Sequence, residues 1–93
     1  MDSEYVKEPP PIRVLIVDDH PAVRQGLALL LEPEGVSVCA QAGNSAEALA
    51  RAAELGPDVV LVDLSLGDED GLLLVAELKR RAVSTLVYSM HED

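Results

Sequence analysis

Ile12-Arg13-Val14-Leu15-Ile16-Val17-Asp18-Asp19 is the stretch whose reading decides the fold. A nearly unbroken apolar, β-branched run stops at two adjacent carboxylates. Apolar residues at successive rather than alternate positions suit a strand covered on both faces, which is the condition of a strand inside a parallel sheet. The sharp change to Asp18-Asp19 marks where that strand leaves the core.

Two more stretches of this kind lie downstream. Val36 to Gln41 is one, and Asp58-Val59-Val60-Leu61-Val62-Asp63 is the other, again ending on an aspartate. A fourth strand is predicted over about Thr85 to Tyr88, leading into Ser89-Met90-His91-Glu92-Asp93. Between the strands the period changes to that of a helix. His20-Pro21 opens one with Val23, Leu27, Leu30 and Leu31 on a common face, and Pro33 and Gly35 close it. Asn44, with Glu47 three residues on, forms a capping box for a second helix with Leu49, Ala50 and Ala53 inward, ended by Gly56-Pro57. After a loop from Leu64 to Asp70, a third helix carries Leu74, Val75, Leu78 and Ala82 on one side. Its Lys79, Arg80 and Arg81 suit the negative helix end.

The order is βαβαβαβ. Each helix must return the chain to start another strand in the same direction, so the expected fold class is α/β with a doubly wound parallel sheet and right-handed crossovers. Residues 1–11, which end in Pro9-Pro10-Pro11, are predicted to form a flexible, proline-rich leader.

Composition narrows the function. The chain has 93 residues, enough for one domain. Seventeen acidic against seven basic residues give a net charge of −10, which repels a phosphate backbone and an anionic bilayer alike; no direct nucleic-acid or membrane contact is expected. Cys39 has no cysteine partner within the chain and sits in an apolar run, where it is expected to be a small buried packing residue of a protein in a reducing, cytoplasmic compartment. No stretch has transmembrane length, and Met1-Asp2-Ser3-Glu4-Tyr5 lacks the basic and apolar segments of a secretory signal.

Ligands of open parallel sheets gather at the carboxyl ends of the strands. Asp18 and Asp19 follow the first strand, Asp63 ends the third and Ser89 follows the fourth, so the four polar side chains are expected at one crevice. Three clustered carboxylates raise one another's proton affinity unless a cation holds them. Magnesium fits, because it takes few carboxylates and completes its shell with water and phosphate oxygens. A carboxylate beside that ion is placed to attack phosphorus, and Asp63 has the position. Each residue also has a plainer role open to it: Asp19 before His20-Pro21 caps a helix equally well, Asp63 can begin a turn, and Ser89 can be a turn residue. His20 and His91 lack the partners and spacing of a zinc site.

Val14-Leu15-Ile16-Val17-Asp18-Asp19-His20-Pro21, Val59-Val60-Leu61-Val62-Asp63-Leu64 with Gly71, and Leu86-Val87-Tyr88-Ser89-Met90-His91 together resemble the receiver domains of two-component response regulators. Those domains have a flavodoxin-like fold. The Asp-Asp-His-Pro start and Ser-Met-His end are most similar to the NarL-type subgroup. The resemblance covers residues 12–93 and implies that Asp63 is the phosphoacceptor, with Asp18, Asp19, Asp63 and the backbone carbonyl of Ser65 as magnesium ligands. It implies that Ser89 is the hydroxyl that turns toward the phosphoryl group, that Ser65 and His91 flank that group, and that a sensor histidine kinase is the donor. A receiver of this kind is no enzyme beyond phosphoryl transfer to itself and slow self-hydrolysis.

The resemblance has departures. The family's last strand carries a lysine, and the sequence stops before it; neither Lys7 nor Lys79 stands in its place. The expectation is a truncated receiver over 12–93, lacking the last strand and helix. The fourth strand is then an open edge beside an uncovered sheet face, and association of the chain with itself is expected there. Gly67 replaces the family's usual proline and is followed by Asp68-Glu69-Asp70, which predicts a looser, more negative loop. Two other readings remain: a receiver-like dimerisation or kinase-decoy module that takes no phosphate, and a magnesium-dependent hydrolase. The hydrolase lacks the second aspartate two residues after its nucleophile, where Ser65 stands.

Overall fold

The computed structural model describes residues 9–89. The sheet is built from β1 (Ile12–Val17), β2 (Val36–Ala42), β3 (Val59–Asp63) and β6 (Thr85–Tyr88), in the order β2-β1-β3-β6. All three pairings are parallel. The helices are α1 (Pro21–Leu31), α2 (Ser45–Leu55) and α3 (Gly71–Arg80), and a short antiparallel pair, β4 (Ser65–Leu66) with β5 (Glu69–Asp70), lies between β3 and α3. The expected α/β, flavodoxin-like arrangement is present.

The strands alternate which face each side chain meets. Leu15 and Val17 of β1 and Val60 and Val62 of β3 pack with Ala48 and Ala52 of α2, and with Leu74 and Leu78 of α3, in the main core. Val14 and Ile16 point to the opposite face and are also buried, so β1 is covered on both sides as its unbroken apolar run predicts. Registers Val17↔Val62 and Asp63↔Tyr88 bring the carboxyl ends of β1, β3 and β6 level with one another.

Several finer expectations are corrected. Leu30 of α1 is exposed rather than inward, and no α1 residue is fully buried. That helix packs beside the outer strand β2. In α2 the buried pair is Ala48 and Ala52, while Ala50 and Ala53 are exposed and Leu49 is half-buried. Two small side chains one turn apart let the helix approach the sheet closely, so the inward face is shifted from the one expected. Cys39 is only half-buried. The register moves from Val14↔Val38 to Leu15↔Ala40, which leaves Cys39 as the extra residue of a bulge.

Ala82 lies beyond α3, exposed and with φ 62. The Ala82 N–H donates to the Lys79 carbonyl and the Val83 N–H to the Leu78 carbonyl, both at 2.9 Å, which is the double bond of a Schellman cap. Val83, rather than Ala82, then packs on the core. The stretch from Leu64 to Asp70, expected as a loose loop, contains the β4–β5 pair with Gly67 at φ 59 in its turn. Leu66 is buried in the main core and anchors it.

The asparagine cap is borne out. Asn44 Oδ1 accepts from the Glu47 N–H at 2.9 Å, and Glu47 Oε1 accepts from the Gly43 N–H at 2.8 Å. No described helix is long and apolar enough to cross a membrane. Most of the proline-rich leader, together with His91, lies outside the described residues.

Candidate functional site

Asp18 is the first residue past β1, and its N–H continues the ladder by donating to the Ala42 carbonyl at 3.0 Å. Its side chain is fully buried. Oδ1 accepts from the His20 N–H at 2.8 Å, and Oδ2 accepts from the Tyr88 hydroxyl at 2.5 Å. The Arg24 guanidinium donates to the Asp18 carbonyl and to Gln41 Oε1, tying α1 to the ends of β1 and β2.

Asp63 ends β3 and is 2% exposed. Its Oδ1 accepts from the Ser65 N–H at 2.9 Å, an Asx-type turn that fixes one oxygen and leaves the other to the cluster. The Ser65 carbonyl accepts from the Gly67 N–H at 3.0 Å and retains a second lone pair.

Asp19 is not the cap of α1. The N-cap is His20, which makes no side-chain cap bond, so the capping role for Asp19 is set aside. Asp19 Oδ1 is instead buried and meets no aligned hydrogen-bond donor, although His20 Nδ1 lies 3.0 Å away. The same nitrogen is 3.1 Å from Asp18 Oδ1, so the imidazole stands between the two acids.

One ligand atom each from Asp18, Asp19, His20 and Asp63 fall within 4.8 Å of one another. An orphaned carboxylate oxygen on Asp19, with two further carboxylates beside it, fits a hard divalent cation such as magnesium. Ser89 follows β6 directly and is exposed.

The electrostatics follow from these contacts. Burial pushes the Asp63 carboxyl above the usual range; the Ser65 N–H pulls the other way, and Asp18 and Asp19 add to the rise. Burial also acts to raise Asp18, but Tyr88 and the two donors of His20 outweigh it and hold that carboxyl below its usual value. His20 is raised by its hydrogen bond to Asp18 and by the charge of Asp19. The Tyr88 hydroxyl is raised by burial and by Asp18.

Tyr88 and Arg24 are the contacts that sequence reasoning missed. The available signal was a polar-tipped aromatic closing a short apolar strand in a chain with two tyrosines and no phenylalanine or tryptophan.

A family model described as the response regulator receiver domain matches residues 14–93. The chain is 41% identical over 81 residues to the nitrate/nitrite response regulator protein NarP of Escherichia coli, covering 86% of this chain and 38% of NarP. It is 41% identical over 70 residues to the transcriptional regulatory protein LiaR of Bacillus subtilis, covering 74% and 33%. It thus spans about a third of the length of these curated relatives. Among solved structures, a LuxR-family two-component response regulator from Aurantimonas superposes with a TM-score of 0.81 at 34% identity, over 88% of this chain and 61% of that one. The receiver domain of a NarL response regulator from Mycobacterium tuberculosis gives 0.78 at 32% identity, over 91% and 71%. With the acid cluster at the strand ends and a family match over most of its length, the chain belongs to the response regulator receiver domain family.

Proposed function

We propose that the chain accepts a phosphoryl group on Asp63 from the phosphohistidine of a sensor histidine kinase in the cytoplasm. The observation that carries this reading is the setting of Asp63: buried at the end of β3, with one oxygen fixed by Ser65 and two further carboxylates beside it. In the step, the free Asp63 oxygen forms a bond to phosphorus while the phosphorus–nitrogen bond to the donor imidazole breaks. The imidazole keeps that electron pair and takes up a proton. The product is an acyl phosphate, which water later cleaves to inorganic phosphate and the original carboxylate.

Asp18, Asp19, Asp63 and the Ser65 carbonyl are the residues that would hold magnesium, whose charge offsets that of the phosphoryl oxygens. The chain's own residues do the remaining work. The Ser65 N–H orients the nucleophile, Asp18 and Asp19 set the negative rim, and the Ser89 hydroxyl donates to the phosphoryl group.

A second reading keeps the fold but not the chemistry: a dimerisation or kinase-decoy module. It is favoured by β6, where Leu86 and Val87 are 59% and 48% exposed on a strand with one paired side among the described residues. Self-association through this edge or the adjoining sheet face accompanies either reading.

Incubation with acetyl phosphate and magnesium followed by intact-mass measurement separates them. A gain of one phosphoryl mass, lost in Asp63→Asn, is expected; no gain at saturating donor leaves the module reading.

A further inference from the structure

Tyr88 belongs to β6 and Asp18 follows β1, with β3 between the two strands. Neighbouring strands lie about 4.8 Å apart, so the phenol spans roughly two strand spacings to reach Asp18. Its register partner on the intervening strand is Asp63, so one side chain bridges the end of β3 that carries the nucleophile. The Leu64 N–H donates to the Tyr88 carbonyl at 2.9 Å and pins the base of this bridge.

Each polar atom of Asp18 is thereby held. The N–H goes to Ala42, the carbonyl to Arg24, Oδ1 to the His20 N–H and Oδ2 to Tyr88. Of these bonds, only those to the two carboxylate oxygens set the rotation of the carboxylate. A terminal carboxylate torsion is broad and roughly two-fold, so without the Tyr88 contact the plane is held at Oδ1 alone and Oδ2 is free to swing. With Tyr88 on Oδ2, Oδ1 faces the imidazole that also meets Asp19 Oδ1, which is where the acid pair converges.

We propose that Tyr88 is a positioning residue for the cation site: its hydroxyl fixes the rotation of Asp18 so that Oδ1 is presented toward Asp19, within the acid cluster that also holds Asp63. This rests on the reading of the cluster as a magnesium site, but assigns a role to a residue outside the ligand set. Groups that orient metal-binding carboxylates control affinity by about 10- to 100-fold. The role is one of orientation, so it affects how much magnesium is needed more than the rate once magnesium is bound.

The test compares the unmodified protein with Tyr88→Phe by calorimetric titration with magnesium chloride and by acetyl phosphate labelling across magnesium concentrations. The dissociation constant of Tyr88→Phe is expected to rise about tenfold. Its half-saturating magnesium for labelling rises by the same factor, while the labelling rate at saturation changes little. Equal affinity in the two proteins overturns the role of Tyr88 and leaves the magnesium reading intact. No binding by the unmodified protein overturns both.

If Tyr88→Phe fails to fold, Tyr5→Phe decides. Tyr5 and Tyr88 are the only aromatic rings besides the histidines, so in that variant the near-ultraviolet tyrosine absorption belongs to Tyr88. Magnesium is expected to shift it as the cation draws charge from the Asp18 carboxylate that accepts the phenol, and Asp18→Asn to abolish the shift. A spectrum indifferent to saturating magnesium overturns the proposal.

Discussion

A Cβ placed on Gly71 would lie 2.7 Å from the Asp63 carbonyl oxygen and 2.8 Å from Leu64 Cα. The first residue of α3 thus packs directly on the backbone that carries the candidate nucleophile. These are backbone atoms, which cannot swing aside as a side chain can. Gly71→Ala is expected to destabilise the fold by about 1–3 kcal/mol, the usual cost of overpacking, read as a lower urea midpoint. An unchanged midpoint would show that α3 can move off β3 freely.

Ala82 is the mirror case, where a glycine is absent from a position that suits one. At φ 62 it closes a Schellman cap in a conformation that costs an L-residue roughly 1–2 kcal/mol. Part of that is offset by the greater freedom of glycine in the unfolded chain. Ala82→Gly is therefore expected to raise stability by about 0.5–1 kcal/mol. Thermal unfolding checks the sign, and a lower melting temperature would mean that the strain is relieved elsewhere.

The layout of the site was legible because it follows from where the strands end. Asp18, Asp19 and Asp63 each stop an apolar run, and a parallel sheet aligns such ends. The helix faces were less legible. Two overlapping apolar stripes run through α2, and whether Ala48 and Ala52 or Ala50 and Ala53 go inward depends on how close the sheet lies, which no local pattern encodes. Ala82 was misassigned because apolar periodicity continues past the point where the backbone turns left-handed. Tyr88 could not be inferred from spacing, since its bond to Asp18 reaches across the intervening strand β3 and 70 residues of sequence.

His20 offers a pH measurement on the acid pair. Its imidazole meets Asp18 and Asp19 and titrates above the ordinary value of 6.5. A folded value above the unfolded one means that the ion pairs stabilise below pH 6.5, and that the contribution disappears as pH rises through the folded value. The side chain is 64% exposed, so the effect on stability is small and the titration itself is the readout. Ring-proton shifts in NMR are expected to give a midpoint above 6.5 without divalent cation and a lower one with saturating magnesium, because the ion takes over the charge that holds the proton. A midpoint that magnesium leaves in place would separate His20 from the cation site.

Glu77 provides a pH response away from the site. It accepts from Arg80 at 2.6 Å and from Arg81 at 2.7 Å, and these two guanidinium groups lower its carboxyl from 4.5 to about 2. The direction is that of a paired acid: the interaction is present above pH 4.5 and is lost as pH falls toward about 2. Both arginines lie near the C-terminal end of α3, where positive charge is favoured in any case, so they remain in place when the acid is protonated. The carboxyl carbon shift of Glu77 should accordingly titrate well below those of unpaired glutamates, and the gap should narrow in high salt, which screens exposed pairs. Arg80→Gln should move the midpoint partway back, since Arg81 still donates. A Glu77 midpoint near 4.5 in low salt would mean that the two arginines spend most of their time in solvent.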